Sequence, residues 1–181
     1  MSDKPILFSS SMVRALLAGA KTQTRRVAKP QPVGRAPLQV GDRAWVRETW
    51  APVSPTEDPM PERECRIEYR ADLPPGCTDR PGQWPESERA DPDCPKWRPS
   101  IFMPRWASRI TLLVTAVQAE RVNAITDEDA IAEGVLTLPD LYPGATPRQV
   151  YADLWDELNL KRGYPFAAGD WVWVYTFEVT R

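Results

Sequence analysis

The sequence predicts an α+β fold built on a small, strongly bent, mainly antiparallel sheet or barrel, with short helices between its strands. Three observations lead there. Several segments are short runs of β-branched, aromatic and alternating residues, as at Arg43–Trp50, Ile110–Val117 and Trp171–Val179. The dipeptide Gly-Asp opens two of them, at Gly41-Asp42 and Gly169-Asp170, one turn-into-strand solution used twice. Ser and Thr capping signatures set off short helical stretches elsewhere. The 181 residues suit one domain spanning 1–181, with residues 52–100 as an insertion.

In chain order, Ser9–Ser11 supply an N-cap and Gly19 a stop. Between them Met12, Val13, Leu16 and Leu17 fall on one helical face. Lys21 to Val27 alternates and contains Thr and Val, which suits a short strand or extended segment. Pro-rich connector follows to Pro37, and then the Gly41-Asp42 turn into the strand ending at Trp50. Eleven of the twenty prolines fall in residues 51–100. Proline breaks both ladders and helix interiors, so the insertion should be irregular and the least ordered part of the chain, with one strand near Cys65–Ala71. Its Trp84 and Trp97 should pack parts of it down. Beyond the strand from Arg109, Thr126 opens a capping box with Asp129 at N3, and that helix stops at Gly134. Thr146 and Gln149 open a second helix, with Val150, Tyr151, Leu154, Trp155 and Leu158 as its buried stripe.

Composition excludes much. The chain has no His, which removes Ser-His-Asp triads, Cys-His dyads and imidazole metal sites together. Acid–base chemistry must then come from Lys, Asp, Glu, Tyr or Cys. Cys65, Cys77 and Cys94 have neither C-x-x-C spacing nor an even count, so free thiols are expected and no metal site. No apolar run reaches a membrane span, and the N-terminus lacks a hydrophobic signal stretch, so a cytoplasmic protein without membrane contact is expected. Net charge is −2, yet residues 1–50 hold nine basic and three acidic side chains. A local basic surface on a mildly acidic chain suits a confined anionic ligand better than a long duplex. Solvated surface charge has the same composition.

Three segments are candidates for chemistry. Lys21, directly after a helix end and a glycine, can be held rigidly, and burial among arginines would depress its pKa. Thr24 is a hydroxyl that such a lysine can activate. A basic strand with threonines and no chemistry would read the same. Glu133 stands in the last turn of its helix, where a carboxylate opposes the helix dipole, so helix stability does not explain it, although a solvated surface glutamate reads at least as well. In Arg98–Arg109, Arg105, Trp106 and Arg109 alternate cation and aromatic, a mixture that stacks a base and holds phosphate. A core Trp106 with arginines around it reads equally well.

Taken together, Leu16-Leu17-Ala18-Gly19-Ala20-Lys21-Thr22-Gln23-Thr24-Arg25-Arg26, Val40-Gly41-Asp42-Arg43-Ala44-Trp45-Val46-Arg47-Glu48, Arg109-Ile110-Thr111-Leu112, Ile125–Gly134 and the closing Gly169-Asp170 strand resemble the ASCH family. The wording around Phe102–Arg109 resembles its larger phage and prophage members. The resemblance implies a PUA-like bent antiparallel β-barrel with short flanking helices, no cofactor, and binding of RNA or a modified nucleoside in a cleft. One branch of the family hydrolyses the acetyl amide of N4-acetylcytidine with a Lys, a Thr and a Glu, roles that fall here on Lys21, Thr24 and Glu133. Arg25, Arg26, Arg47, Arg105, Trp106, Ser108 and Arg109 are then the expected substrate contacts in an electropositive cleft. A noncatalytic RNA-binding module, a ribonuclease or an accessory phage protein are the alternatives. The insertion and the second C-terminal helix depart from the small amidohydrolases, so the substrate does not carry over. Oligomeric state is left open.

Overall fold

The computed structural model of the chain describes residues 3–31, 34–54, 60–83, 95–135 and 144–180. Its strands are β1 (Asp3–Leu7), β2 (Gln23–Val27), β3 (Arg43–Arg47), β4 (Trp50–Val53), β5 (Arg66–Tyr69), β6 (Thr111–Arg121) and β7 (Trp171–Thr180). Its α-helices are α1 (Ser10–Leu17), α2 (Asp127–Ala132) and α3 (Pro147–Asn159). The chain is mixed α+β, as its patterning predicts, with β4 and β5 in a small two-stranded sheet of their own. It divides into two compact units, Ala15–Arg43 with Leu112–Thr180, and Asp3–Arg14 with Ala44–Thr111.

In the first unit β7 lies between β6 and β2. β2 and β7 run antiparallel, with Thr24 opposite Tyr175, Arg25 opposite Val174 and Arg26 opposite Trp173. Opposed residues share a face and neighbours along a strand alternate. One face therefore carries Gln23, Arg25, Val27, Val172 and Val174, and the other Thr24, Arg26, Trp173 and Tyr175. Val172 and Val174 join Val122, Ile125, Ala130, Val150, Tyr151, Trp155 and Phe166 in the core, so α2 and α3 cover the first of these faces.

Both predicted threonine caps are found. Thr146 and Gln149 form the full reciprocal box, with Pro147 in the first turn. At α2 only half of the box forms, because Thr126 Oγ1 accepts from the Asp129 amide while the Asp129 carboxylate is drawn to Gln23 and Arg25. The stripe of α3 is narrower than its spacing suggests: Val150, Tyr151 and Trp155 are buried, Leu154 is half-buried, and Leu158 is 66% exposed. Asn159 is buried in its place and donates to the Trp155 carbonyl. Leu17 of α1 is likewise exposed, whereas Val13, Ala15 and Leu16 are buried. The turn before β7 favours glycine chiefly through its backbone conformation, since Gly169 has φ +63°. A Cβ there would stand 2.7 Å from the Asn123 side chain, which can move aside.

In the second unit β1 neighbours β3. The strand expected to run from Arg43 to Trp50 is two strands. β3 ends at Arg47, and Trp50 opens β4 after a break at Glu48-Thr49. The start of the insertion is thus less irregular than its prolines imply. β4 pairs antiparallel with β5, and Pro52 stands opposite Ile67, which the edge position of a two-stranded sheet tolerates. Trp50, Met103 and Ala107 form one buried cluster of this unit, with Ile67 and Tyr69 packed on it. Trp97 packs down as expected, donating to the Asp79 carbonyl at 3.0 Å. Trp84 and Cys94 lie outside the described residues.

Candidate functional site

Lys21 leaves α1 through a tight backbone exit. Its amide, like that of Ala20, donates to the Ala15 carbonyl, and the Thr22 amide donates to the Ala132 carbonyl at the end of α2. Two elements far apart in sequence are so fixed against each other before any side chain is considered. Gly134 makes the approach possible. It has φ +86°, and a Cβ would stand 2.8 Å from Ala15 Cβ and 3.1 Å from Lys21 Cβ. The next residue back, Glu133, caps α2 and turns its carboxylate inward.

The two side chains meet. Lys21 Nζ donates to Glu133 Oε2 at 2.8 Å, to the Glu133 carbonyl at 2.6 Å and to the Gln23 carbonyl at 2.9 Å. Arg25 takes the other oxygen, with Nη1 at 3.2 Å from Glu133 Oε1. Its Nε donates to Glu120 Oε1 at 2.6 Å, and Nη2 lies 3.2 Å from Asp129 Oδ2. Gln23 Nε2 closes the cluster on the Asp129 carbonyl and Oδ1. Two cations and three carboxylates thus share one site, in which the side chains of Lys21, Arg25 and Glu133 are at most 5% exposed.

Burial sets the electrostatics. It lowers the Lys21 pKa, and the facing Glu133 carboxylate only partly offsets this. Burial also acts to lower the Arg25 pKa, but Glu133 and Glu120 outweigh it and the guanidinium is held more firmly charged. Tyr151 is raised well above its ordinary value, by burial first and by Glu133 second. Such a cluster can hold or pass a proton, or it can pin α2 to β2 as a neutralised ion network.

Thr24 stands apart from these contacts. It is buried at 1% exposure, yet strand alternation sends its side chain to the face of Tyr175 and Trp173, away from Gln23 and Arg25. The hydrogen bonds described for Lys21 go to Gln23 and Glu133. The signal for this lies in the sequence: Lys21, Gln23 and Arg25 follow each other at period two, and Thr24 does not. Gln23, Glu120 and Asp129 belong to the cluster although none of them is among the expected site residues.

The remaining expected contacts are placed as follows. Arg26 is exposed on the Thr24 face and donates to the Arg25 carbonyl. The other five lie in the second unit. Arg109 grips Glu48 with two hydrogen bonds, at 2.9 and 3.0 Å, reaches Asp72, and lies 3.9 Å over the Tyr69 ring. Ser108 Oγ donates to the Val46 carbonyl at 2.8 Å. Arg105 pairs with Asp3 and flanks Trp45, whose ring also carries Arg47 at 4.7 Å. Trp106, 37% exposed, packs edge-on to the buried Trp50. Arg109 and Ser108 thus work inside this unit, while Arg47, Arg105 and Trp106 reach its surface. Among the described residues no His, Cys, Asp or Glu cluster could hold a metal ion, and no helix is long and apolar enough to cross a membrane.

Comparison with known proteins gives one line of likeness. No protein-family model matches the sequence, and no curated protein matches it. Among solved structures, an ASCH domain from Lactobacillus crispatus JV V101 superposes with a TM-score of 0.50 at 12% identity, covering 98% of this chain and 79% of that one. A DUF984 protein from Enterococcus faecalis V583 aligns with a TM-score of 0.47 at 13% identity, over 99% and 76% of the two chains. At such identities the likeness concerns the backbone, and on that ground the chain has the fold of an ASCH domain.

Proposed function

We propose that this chain binds RNA or a modified nucleoside, and that its Lys21–Glu133 pair is the polar centre of a site that hydrolyses an acylated nucleoside. The observation that carries the reading is the pair itself. A lysine and a glutamate 112 positions apart lie 2.8 Å from each other in the interior of an ASCH-type fold. Burial works on Lys21 toward the neutral amine a base needs. In this chemistry the Thr24 side chain has to leave the Trp173 face of β2 to reach Lys21; its Oγ then attacks the acetyl carbonyl and loses its proton to Lys21. The C–N bond to the base breaks as the amine takes a proton through Glu133. Water then cleaves the acetyl-threonine ester and releases acetate. The test is turnover of N4-acetylcytidine by wild-type protein, Thr24→Val and Thr24→Ser. Loss in the first and retention in the second supports a hydroxyl nucleophile. Equal turnover by all three removes it.

A second reading, binding without hydrolysis, draws on the occupancy of the cluster. Lys21 Nζ already donates three hydrogen bonds, and Thr24 faces the other side of β2. Arg47, Arg105 and Trp106 then offer a cation-and-aromatic surface of the kind that holds single-stranded RNA. Salt-sensitive RNA binding with no turnover of any acylated nucleoside selects this reading.

A further inference from the structure

On the face of β7 opposite Val172 and Val174, the first unit has a groove of about 490 Å³ lined by Gly34, Arg35, Ala36, Gln39, Val40, Val117 and Trp173. Its volume lies within the range of about 300–1,000 Å³ that small-molecule sites occupy. We infer that this groove is a nucleotide subsite, in which Trp173 stacks a base and Arg35 holds the phosphate.

Charge argues first. The lining contains a guanidinium and no carboxylate, in a chain whose net charge is −2. Arg25, Arg66, Arg98, Arg105 and Arg109 all sit on carboxylates. Arg35 is exposed and has no such partner among the described residues. An exposed, uncompensated arginine beside an aromatic face matches a planar base carrying an anion.

The identity of the aromatic argues second. Trp173 is only half-buried, yet its indole Nε1 is shielded from water and has no hydrogen-bond partner among the described residues. A shielded, unsatisfied donor costs stability, and phenylalanine would fill a purely structural position without that cost. What tryptophan adds is the widest stacking face of any side chain. Val40, 64% exposed, and Val117 supply the apolar walls that keep a base from tilting off that face.

The inference rests on the proposed function only for the choice of a nucleic-acid base over other planar anions. Thr24 lies on the face of Trp173, but Lys21, Arg25 and Glu133 bond on the face that α2 covers, so Lys21 is the residue that separates the two readings. The nucleotide can be free or one link of an RNA strand.

Binding of the four nucleoside 5′-monophosphates, the matching nucleosides, inorganic phosphate and a labelled single-stranded RNA should be measured by titration. Wild type, Arg35→Ala, Trp173→Ala, Trp173→Phe and Lys21→Met should be compared, with thermal melts to confirm folding. Arg35→Ala is expected to weaken the nucleotide about tenfold or more, the usual scale of a lost charge-assisted contact, and to erase its advantage over the nucleoside. Trp173→Ala should weaken nucleotide and nucleoside alike, Trp173→Phe less so, and Lys21→Met should leave groove binding in place. Tight binding of a monophosphate, with RNA no tighter, identifies a free nucleotide. Binding of RNA alone, lost in Arg35→Ala, identifies a strand. Binding that survives in Arg35→Ala and Trp173→Ala but is lost in Lys21→Met overturns the groove and keeps the proposed function. No binding of any probe to wild type overturns the groove, and turnover of N4-acetylcytidine decides the proposed hydrolysis separately.

Discussion

Glu133 and Lys21 are joined by a 2.8 Å ion pair in which both side chains are nearly inaccessible to water. Because Arg25 lies on the second carboxylate oxygen, Glu133 compensates two buried cations at once. Removing it should therefore cost more than removing either cation. Glu133→Gln is expected to destabilise by about 3–5 kcal/mol, the range for breaking one partner out of a buried pair. Lys21→Met, which leaves Glu133 with Arg25, should cost clearly less. Denaturant midpoints at unchanged m-value would measure both. Equal costs would mean that the carboxylate is not the centre of the network. Activity lost in Glu133 variants has to be read against this stability loss.

Gly134 should tolerate no side chain. Gly134→Ala meets Ala15 Cβ at 2.8 Å and places a non-glycine residue at φ +86°. The backbone strain and the overlap together should cost about 1–3 kcal/mol. Ala15→Gly in the same protein removes the overlap but not the strain, so partial recovery is expected. Full recovery would assign the whole cost to packing, and none would assign it to the backbone.

The Asp129 carboxyl offers a pH test. Burial alone would raise its pKa, but the hydrogen bond from Gln23 and the field of Arg25 outweigh that and hold it below the ordinary carboxylate range. Between the folded and unfolded values the unfolded chain binds more protons, so stability rises with pH there. The contribution is complete above the unfolded value of about 4 and is lost as pH falls through the folded value. Asp129→Asn should flatten the acid side of a stability curve measured by urea denaturation. An acid side as steep as that of wild type would show that Asp129 contributes nothing to it.

Thr146 and Gln149 cap α3 reciprocally. Thr146→Ala should cost about 1 kcal/mol, as N-cap deletions do. Amide exchange should quicken in the first turn of α3 and not in its last. Uniform quickening would point to global destabilisation instead.

Local signals carried much of this molecule. The Gly41-Asp42 and Gly169-Asp170 turns, the two threonine caps, the helix stop at Gly134 and the strands that follow are set by residues within a few positions of each other, so periodicity and turn chemistry reveal them. The meeting of Lys21 with Glu133 was legible only as a resemblance, because no local rule links positions so far apart. Tertiary structure decided the rest. It joined Arg25 to Glu133, Glu120 and Asp129, and turned Thr24 to the opposite face of β2. It left Leu158 and Leu17 in water and paired β4 with β5 inside a proline-rich stretch. Each of these outcomes depends on which element lies across from a given face, and a side chain's spacing along its own element does not contain that information.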